Sequence, residues 1–104
     1  MPPRNTADAE REYLDALAFY AARDVARAVA FETAYFAARN ALRTDPDRFP
    51  LHHDAAGPQN RFVRIAGFPY YLLVRTADPA DTVILAVLHT AAGPAQLRRA
   101  EMRG

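Results

Sequence analysis

The sequence predicts an α+β domain in which an N-terminal helical hairpin packs on a small antiparallel sheet. In the first half of the chain, apolar residues recur at three- and four-residue steps, as they do on one face of a helix. In the second half, residues 61–90 contain three apolar runs rich in β-branched and aromatic residues, separated by two turn signals. Helices followed by strands in this order are typical of a helical layer on one face of a sheet.

The composition fits one globular domain that spans residues 1–104. Apolar residues make up 51% of the chain, and the formal charge of +1 argues against a strong polyanion binder. The chain has no cysteine, which excludes disulfides, thiolate metal sites and cysteine nucleophiles. No apolar run approaches the ~18 residues of a membrane span, and the start MPPRNT lacks a signal-peptide core. We therefore expect a cytoplasmic protein.

Two helices are predicted before the sheet. The first runs from Ala7 to about Arg23, and Asn5 or Thr6 is its candidate cap. Its apolar stripe contains Ala9, Tyr13, Ala16, Leu17 and Tyr20, and a second stripe contains Ala28, Phe31, Tyr35, Ala38 and Leu42. The phase changes near Arg23-Asp24, which favours two helices capped at Asp24 over one long bent helix. The second helix should end by Thr44, because a residue before proline disfavours helical geometry.

Residues 45–60 form a predicted irregular connection, and residues 61–90 a three-stranded antiparallel meander. The turn signals are Gly67-Phe68-Pro69 and Asp78-Pro79-Ala80-Asp81. A hairpin loop of two or four residues at Gly67 places one apolar set on the face toward the helices: Val63, Ile65, Tyr70, Leu72 and Val74. The opposite face then carries a mixed set suited to a partner: Phe62, Arg64, Tyr71, Leu73 and Arg75.

The third strand of the meander is apolar on both faces, so its register depends on the second turn. A five-residue loop from Ala77 to Asp81 places Val83, Leu85, Val87 and His89 beside Arg64 and Arg75. A four-residue loop places Ile84, Ala86 and Leu88 there instead. In either register we expect an exposed apolar centre flanked by arginines, which a monomer rarely shows without use. Residues 95–103 are expected to be a short polar tail of one or two helical turns.

Four segments, in order, resemble the RelE/ParE superfamily of bacterial type II toxins: AEREYLDALAFYAAR, PDRFP, VRIAGFPYYLLVR and VILAVLH. The resemblance covers roughly Ala9 to His89. It implies a fold like the one above, usually with an added N-terminal strand, so the sheet is predicted with three or four strands. It also implies neutralisation by a cognate antitoxin whose C-terminal segment wraps the toxin. RelE-like members are ribosome-dependent messenger RNA endoribonucleases, whereas ParE-like members inhibit DNA gyrase and are not enzymes.

The departures from the superfamily pattern favour the ParE-like function. After His89, the segment Thr90-Ala91-Ala92-Gly93-Pro94 lacks the usual arginines, and the tail QLRRAEMRG lacks the usual aromatic residue. These are groups with which a ribonuclease would hold phosphate and assist proton transfer. If the chain is nonetheless RelE-like, the resemblance implies catalysis by His89 and Arg64, with the ribosome and messenger RNA as partners. A degenerate member that only binds its antitoxin is a third hypothesis.

The predicted site residues are mainly partner contacts. We expect antitoxin or target binding through Arg61, Phe62, Arg64, Tyr71, Leu73, Arg75, Leu85 and Val87. No cofactor is expected. His52-His53 with Asp54 is a weak metal candidate, because adjacent residues of an extended chain do not easily direct both rings at one ion.

Overall fold

A computed structural model describes residues 2–45, 49, 60–78 and 80–103 as a sheet with helices on both faces. The strands are β1 (Arg4–Asn5), β2 (Asn60–Arg64), β3 (Tyr70–Arg75) and β4 (Val83–His89). The helices are α1 (Ala7–Ala21), α2 (Val25–Thr44) and α3 (Pro94–Glu101). The strand order is β1-β4-β3-β2. None of the helices in these residues is both long enough and apolar enough to cross a bilayer.

The two predicted N-terminal helices are confirmed, and each has a capping side chain. The Thr6 hydroxyl accepts a hydrogen bond from the Ala9 amide at 3.1 Å. The Asp24 carboxylate accepts one from the Ala26 amide at 3.0 Å, which satisfies a donor that the first helical turn leaves open. Because Asp24 has an extended backbone, α1 and α2 are separate helices and the single bent helix is excluded.

The predicted helical stripes form the main core with the sheet. Phe31 and Leu72 are fully buried, and Phe31 lies 5.1 Å from Phe68, centroid to centroid. Tyr13 stacks on Tyr35 at 3.9 Å, which joins α1 to α2. The other buried members are Ala9, Ala16, Ala38, Leu42, Val63, Ile65, Val74, Ile84 and Val87. The sheet face that packs on the helical hairpin is therefore the one predicted from a hairpin loop at Gly67.

The first turn of the meander is the four-residue version. The Ile65 amide donates to the Tyr70 carbonyl at 3.0 Å, which leaves residues 66–69 as the loop. Gly67 has φ of 85°, a left-handed conformation that a residue with a Cβ adopts only at a cost.

A β-bulge in β4 combines the two predicted registers of the third strand. Near the second turn, Arg75 pairs with Val83 and Val74 with Ile84, as in the five-residue register. Beyond the bulge, Leu73 pairs with Ala86 and Tyr71 with Leu88, as in the four-residue register. Leu85 is the extra residue. Neither of the two predicted registers therefore holds along the whole strand.

The N-terminal residues add a fourth strand to the predicted meander. Arg4 pairs with Val83 and Asn5 with Ile84 in parallel, so the sheet is mixed. The Arg4 guanidinium binds Asp81 with a bond of 2.7 Å, and this hydrogen bond lowers the pKa of the Asp81 carboxyl. The Arg39 guanidinium also donates to the Pro3 carbonyl at 2.6 Å. Side-chain contacts thus hold a strand only two residues long.

Candidate functional site

Helix α3 covers the sheet face that the sequence predicted to be exposed. Leu73 and Leu85 are fully buried and Leu88 is 1% exposed, in a second cluster with Ala100 and Leu97 of α3. The prediction of an exposed apolar centre is therefore wrong, because the C-terminal tail supplies its own cover. A partner reaches Leu73 or Leu85 only if α3 moves, and their assignment as partner contacts stays a prediction.

Two arginines hold the C-terminal segment in place. Arg75 donates to the carbonyls of Glu101 and Arg103 at 3.1 and 2.9 Å, where a helix C-terminus leaves carbonyls unsatisfied. Arg103 binds the Glu12 carboxylate of α1 at 2.8 Å and lies 3.4 Å from Asp8. Arg75, predicted as a partner contact, is thus engaged within the chain.

Glu12 also binds the backbone of β4 near its bulge. One of its carboxylate oxygens accepts the Val87 amide at 3.0 Å. The Leu85 carbonyl accepts from the Thr6 hydroxyl at 3.0 Å and from Arg103 at 3.1 Å. A bulge leaves backbone groups without ladder partners, and these side chains satisfy them. The short β1 strand does not extend this far along β4, so α1 and the C-terminus complete this edge.

A shallow groove of about 270 Å³ opens on the same side of the sheet as α3. It is lined by Phe62, Arg64, Tyr71 and Thr90. Phe62 and Tyr71 meet edge to face with ring centroids 6.1 Å apart. Burial, and to a smaller extent the charge of Glu101, raises the pKa of the Tyr71 phenol. The phenol therefore stays protonated at neutral pH and available as a donor.

Arg64 and Arg61 differ in what they bind. Arg61 donates to the Thr76 hydroxyl at 3.2 Å and to the Phe49 carbonyl at 2.6 Å, so it helps to hold the chain together. Arg64 is exposed at the groove and makes no hydrogen bond or ion pair with any described residue. Of the three arginines predicted as contacts, Arg64 has the guanidinium that is open to a ligand.

His89 and Val87 lie on the hairpin side of the sheet, away from Arg64. His89 pairs with Tyr70, contacts the Tyr70 ring at 5.2 Å, and accepts the Ala91 amide on Nδ1 at 3.0 Å. Val87 is 4% exposed in the core with the helices. Because the bulge shifts the register before these residues, His89 does not come to lie beside Arg64, as the five-residue register would have placed it. Val87 likewise has no exposed surface beside the arginines.

The outer face of the helical hairpin exposes large apolar side chains that the sequence analysis did not single out. Val25, Val29 and Phe36 on α2 are 70%, 57% and 52% exposed, and Leu14 on α1 is 51% exposed. The three α2 residues follow four- and seven-residue steps, separate in phase from the core stripe. The sequence signal for this surface is a second apolar stripe on α2, in addition to its core stripe. We call these four residues the hairpin stripe.

The part of the chain that the structure describes contains no group of three His, Asp or Glu side chains that could hold a metal ion. His52, His53 and Asp54, the weak candidate from the sequence, lie outside the described residues.

Comparisons with known proteins agree with this architecture. A family model described as "ParE toxin of type II toxin-antitoxin system, parDE" matches residues 4–93. A solved structure from a chromosomal ParDE toxin–antitoxin system of P. aeruginosa superposes with a TM-score of 0.69 at 13% identity. That match covers 86% of this chain and 95% of the other, and it shows a shared fold. No curated protein matches the chain. The family match spans most of the sequence, and the chain belongs to the ParE family of type II toxin–antitoxin toxins.

Proposed function

We propose that this toxin inhibits DNA gyrase by binding it, without RNA cleavage, and that a cognate antitoxin neutralises it. The observation that carries the proposal is the separation of Arg64 and His89 by the sheet. Side chains of residues that alternate along a pleated strand point to opposite faces, so these two groups do not meet on one phosphate.

Ribonuclease chemistry needs a proton-transfer group next to the group that holds the phosphate. Among the residues that the structure describes, the groove around Arg64 is lined otherwise by Phe62, Tyr71 and Thr90, none of which titrates near neutral pH. His89, a residue type suited to acid–base work, instead faces Tyr70 and accepts the Ala91 amide on its Nδ1. The described lining of the groove therefore offers groups for binding rather than an acid–base pair, which supports action by association.

The antitoxin is proposed to cover the hairpin stripe. Leu14, Val29 and Phe36 are each about half exposed, and a soluble monomer seldom keeps such a set uncovered. An amphipathic segment with apolar residues at helical spacing would match the row of Val25, Val29 and Phe36 on α2 with Leu14 of α1 beside it. The face under α3, which the sequence favoured for the antitoxin, is already filled by the chain itself.

The target is tested with purified toxin in two assays: gyrase supercoiling and ribosome-dependent cleavage of messenger RNA. We expect inhibition of supercoiling, no cleavage, and little change in either result for His89→Ala. An acid–base catalyst contributes ~100- to 10,000-fold, so loss of a true catalytic histidine would be plain. Cleavage by the parent that His89→Ala abolishes would contradict the proposal. A folded parent that neither inhibits gyrase nor arrests growth would instead support the degenerate-member hypothesis.

The antitoxin surface is tested with two matched phenylalanines. Phe36→Asp should weaken antitoxin binding, because it places a charge in the hairpin stripe. Phe19→Asp is the control, since Phe19 is 48% exposed but lies about 140° around α1 from Leu14 at 3.6 residues per turn. Equal antitoxin affinities for the two variants would show that the stripe is not the contact.

A further inference from the structure

We propose that the groove lined by Phe62, Arg64, Tyr71 and Thr90 binds the toxin's target, and that it takes an acidic side chain flanked by an apolar one. The inference rests on the proposed function only in that the target is a protein. Three features of the groove carry it: a fixed aromatic wall, a guanidinium with no hydrogen-bond or ion-pair partner among the described residues, and a position across the sheet from the hairpin stripe.

The aromatic wall is set by strand pairing. Arg64 pairs with Tyr71 and Phe62 with Leu73, so Phe62, Arg64 and Tyr71 emerge on one face of adjacent strands. The rings of Phe62 and Tyr71 meet at 73°, an edge-to-face arrangement that holds both in place. Thr90 closes the other side, where its amide donates to the Pro69 carbonyl at 2.9 Å. The groove is therefore preformed and offers an apolar surface beside polar donors.

The charge in the groove fits a carboxylate better than a nucleic acid. Arg61 and Arg75 are engaged with Phe49, Thr76 and the end of α3, so that Arg64 is the cation facing the groove in the described part of the chain. A single planar guanidinium matches one carboxylate with two parallel hydrogen bonds. Nucleic acid binding relies on several phosphate contacts at once, and the chain carries a net charge of only +1. An acidic residue next to an apolar one satisfies both the cation and the aromatic wall.

Position assigns the groove to the target rather than to the antitoxin. Phe62, Arg64 and Tyr71 are on the α3 side of the sheet, whereas the hairpin stripe belongs to α1 and α2 on the other side. The stripe exposes four large apolar side chains and needs lasting cover. The groove is small and combines arginine with tyrosine, residues that are enriched where a few contacts dominate binding. Two different surfaces on opposite sides suit two different partners.

The test substitutes Arg64→Glu and compares it with Arg99→Glu, which makes the same charge change on an exposed arginine of α3 that does not line the groove. Arg64→Lys is a second variant, which keeps the charge but loses the fork. Each protein is assayed for growth arrest when expressed without antitoxin, for inhibition of gyrase supercoiling, and for antitoxin affinity. Circular dichroism and a thermal melt establish that each variant is folded.

We expect Arg64→Glu to raise the inhibitory concentration roughly 30-fold or more, since truncating one partner of a hydrogen-bonded charge pair has effects of this size. Arg64→Lys should be intermediate, Arg99→Glu close to the parent, and antitoxin affinity unchanged in all three. Undiminished growth arrest by folded Arg64→Glu would overturn the proposal, as would loss of antitoxin binding with arrest retained. If the parent arrests growth without inhibiting gyrase, and Arg64→Glu abolishes that arrest, the gyrase assignment fails while the groove stands.

Discussion

Replacing Glu12 with alanine removes the acceptor that the β4 bulge requires, and we expect a large loss of stability. The Glu12 carboxylate accepts the Val87 amide at 3.0 Å and binds Arg103 at 2.8 and 3.3 Å. The Glu12 and Arg103 side chains are only 17% and 18% exposed, so water does not readily replace these bonds. Glu12→Ala therefore leaves an amide without its acceptor and loosens the contact between the C-terminal segment and α1.

The magnitude follows from two contributions. A buried amide left without an acceptor costs ~1–3 kcal/mol. The largely shielded pair with Arg103 adds about 1 kcal/mol, near the upper end for ion pairs that are not fully buried. The sum of roughly 2–4 kcal/mol is a substantial part of the ~5–15 kcal/mol that stabilises a domain. At ~4–8 °C per kcal/mol for a chain near this size, the melting temperature should fall by roughly 8–32 °C.

The assay is urea unfolding of Glu12→Ala, Glu12→Gln and Asp15→Ala, followed by circular dichroism. Glu12→Gln keeps an oxygen for the Val87 amide but loses the charge, so it should cost only about 1 kcal/mol. Asp15 is an exposed carboxylate on the same helix, and its removal should change stability by less than ~0.5 kcal/mol. Equal midpoints for Glu12→Ala and Asp15→Ala would refute the reasoning. Equal losses for Glu12→Ala and Glu12→Gln would assign the effect to the charge rather than to the amide.

Three further predictions concern the core, the first turn and alkaline pH. Phe31→Ala should cost ~3–5 kcal/mol in urea unfolding, because Phe31 is fully buried. Phe36→Ala, on the exposed side of α2, should cost under ~1 kcal/mol. Similar losses of stability in the two variants would contradict the packing. Gly67→Ala should cost ~1–2 kcal/mol from its positive φ. Gly93→Ala, with negative φ and open space around its Cβ position, should cost less, about 0.5–1 kcal/mol, because alanine caps a helix less well than glycine. A thermal melt of Gly67→Ala equal to that of the parent would disprove this reason. Burial, with the nearby Glu32 carboxylate, raises the pKa of Tyr13 to about 12. The contribution of the Tyr13 phenol to stability should therefore be complete below pH 10 and be lost as the pH rises toward 12. An alkaline stability curve that Tyr13→Phe leaves unchanged would contradict this.

The helices and one face of the sheet were predictable from the sequence because their determinants are local. Apolar residues at helical spacing define the stripes of α1 and α2, and the cap at Asp24 lies next to the helix that it starts. Gly67 likewise specifies a turn within its own hairpin, and two-residue alternation then assigns Val63 and Leu72 to the core face. Each of these signals involves residues close together in the chain.

The composition of the candidate site required the tertiary structure, because the deciding contacts join distant residues. Arg61, Arg64 and Arg75 are alike in the sequence, and only the positions of Phe49, Thr76 and α3 show which one is left open. The sequence alone does not separate a guanidinium that supports the fold from one that is free to bind. That distinction depends on which carbonyls lie within reach after folding.

The β-bulge in β4 and the packing of α3 over that strand could not be predicted from the sequence either, for a single physical reason. A strand that is apolar on both faces carries no alternation, so its register is set by whatever packs on it. Here Leu85 is accommodated because Thr6 and Arg103 bind its carbonyl, and Glu12 binds both the Val87 amide and Arg103, a partner 91 positions away. The sequence by itself determined the family fold and its core, from local periodicity and turns. The tertiary structure decided that His89 lies across the sheet from Arg64 and that α3 fills the second face, because both depend on contacts between the two ends of the chain.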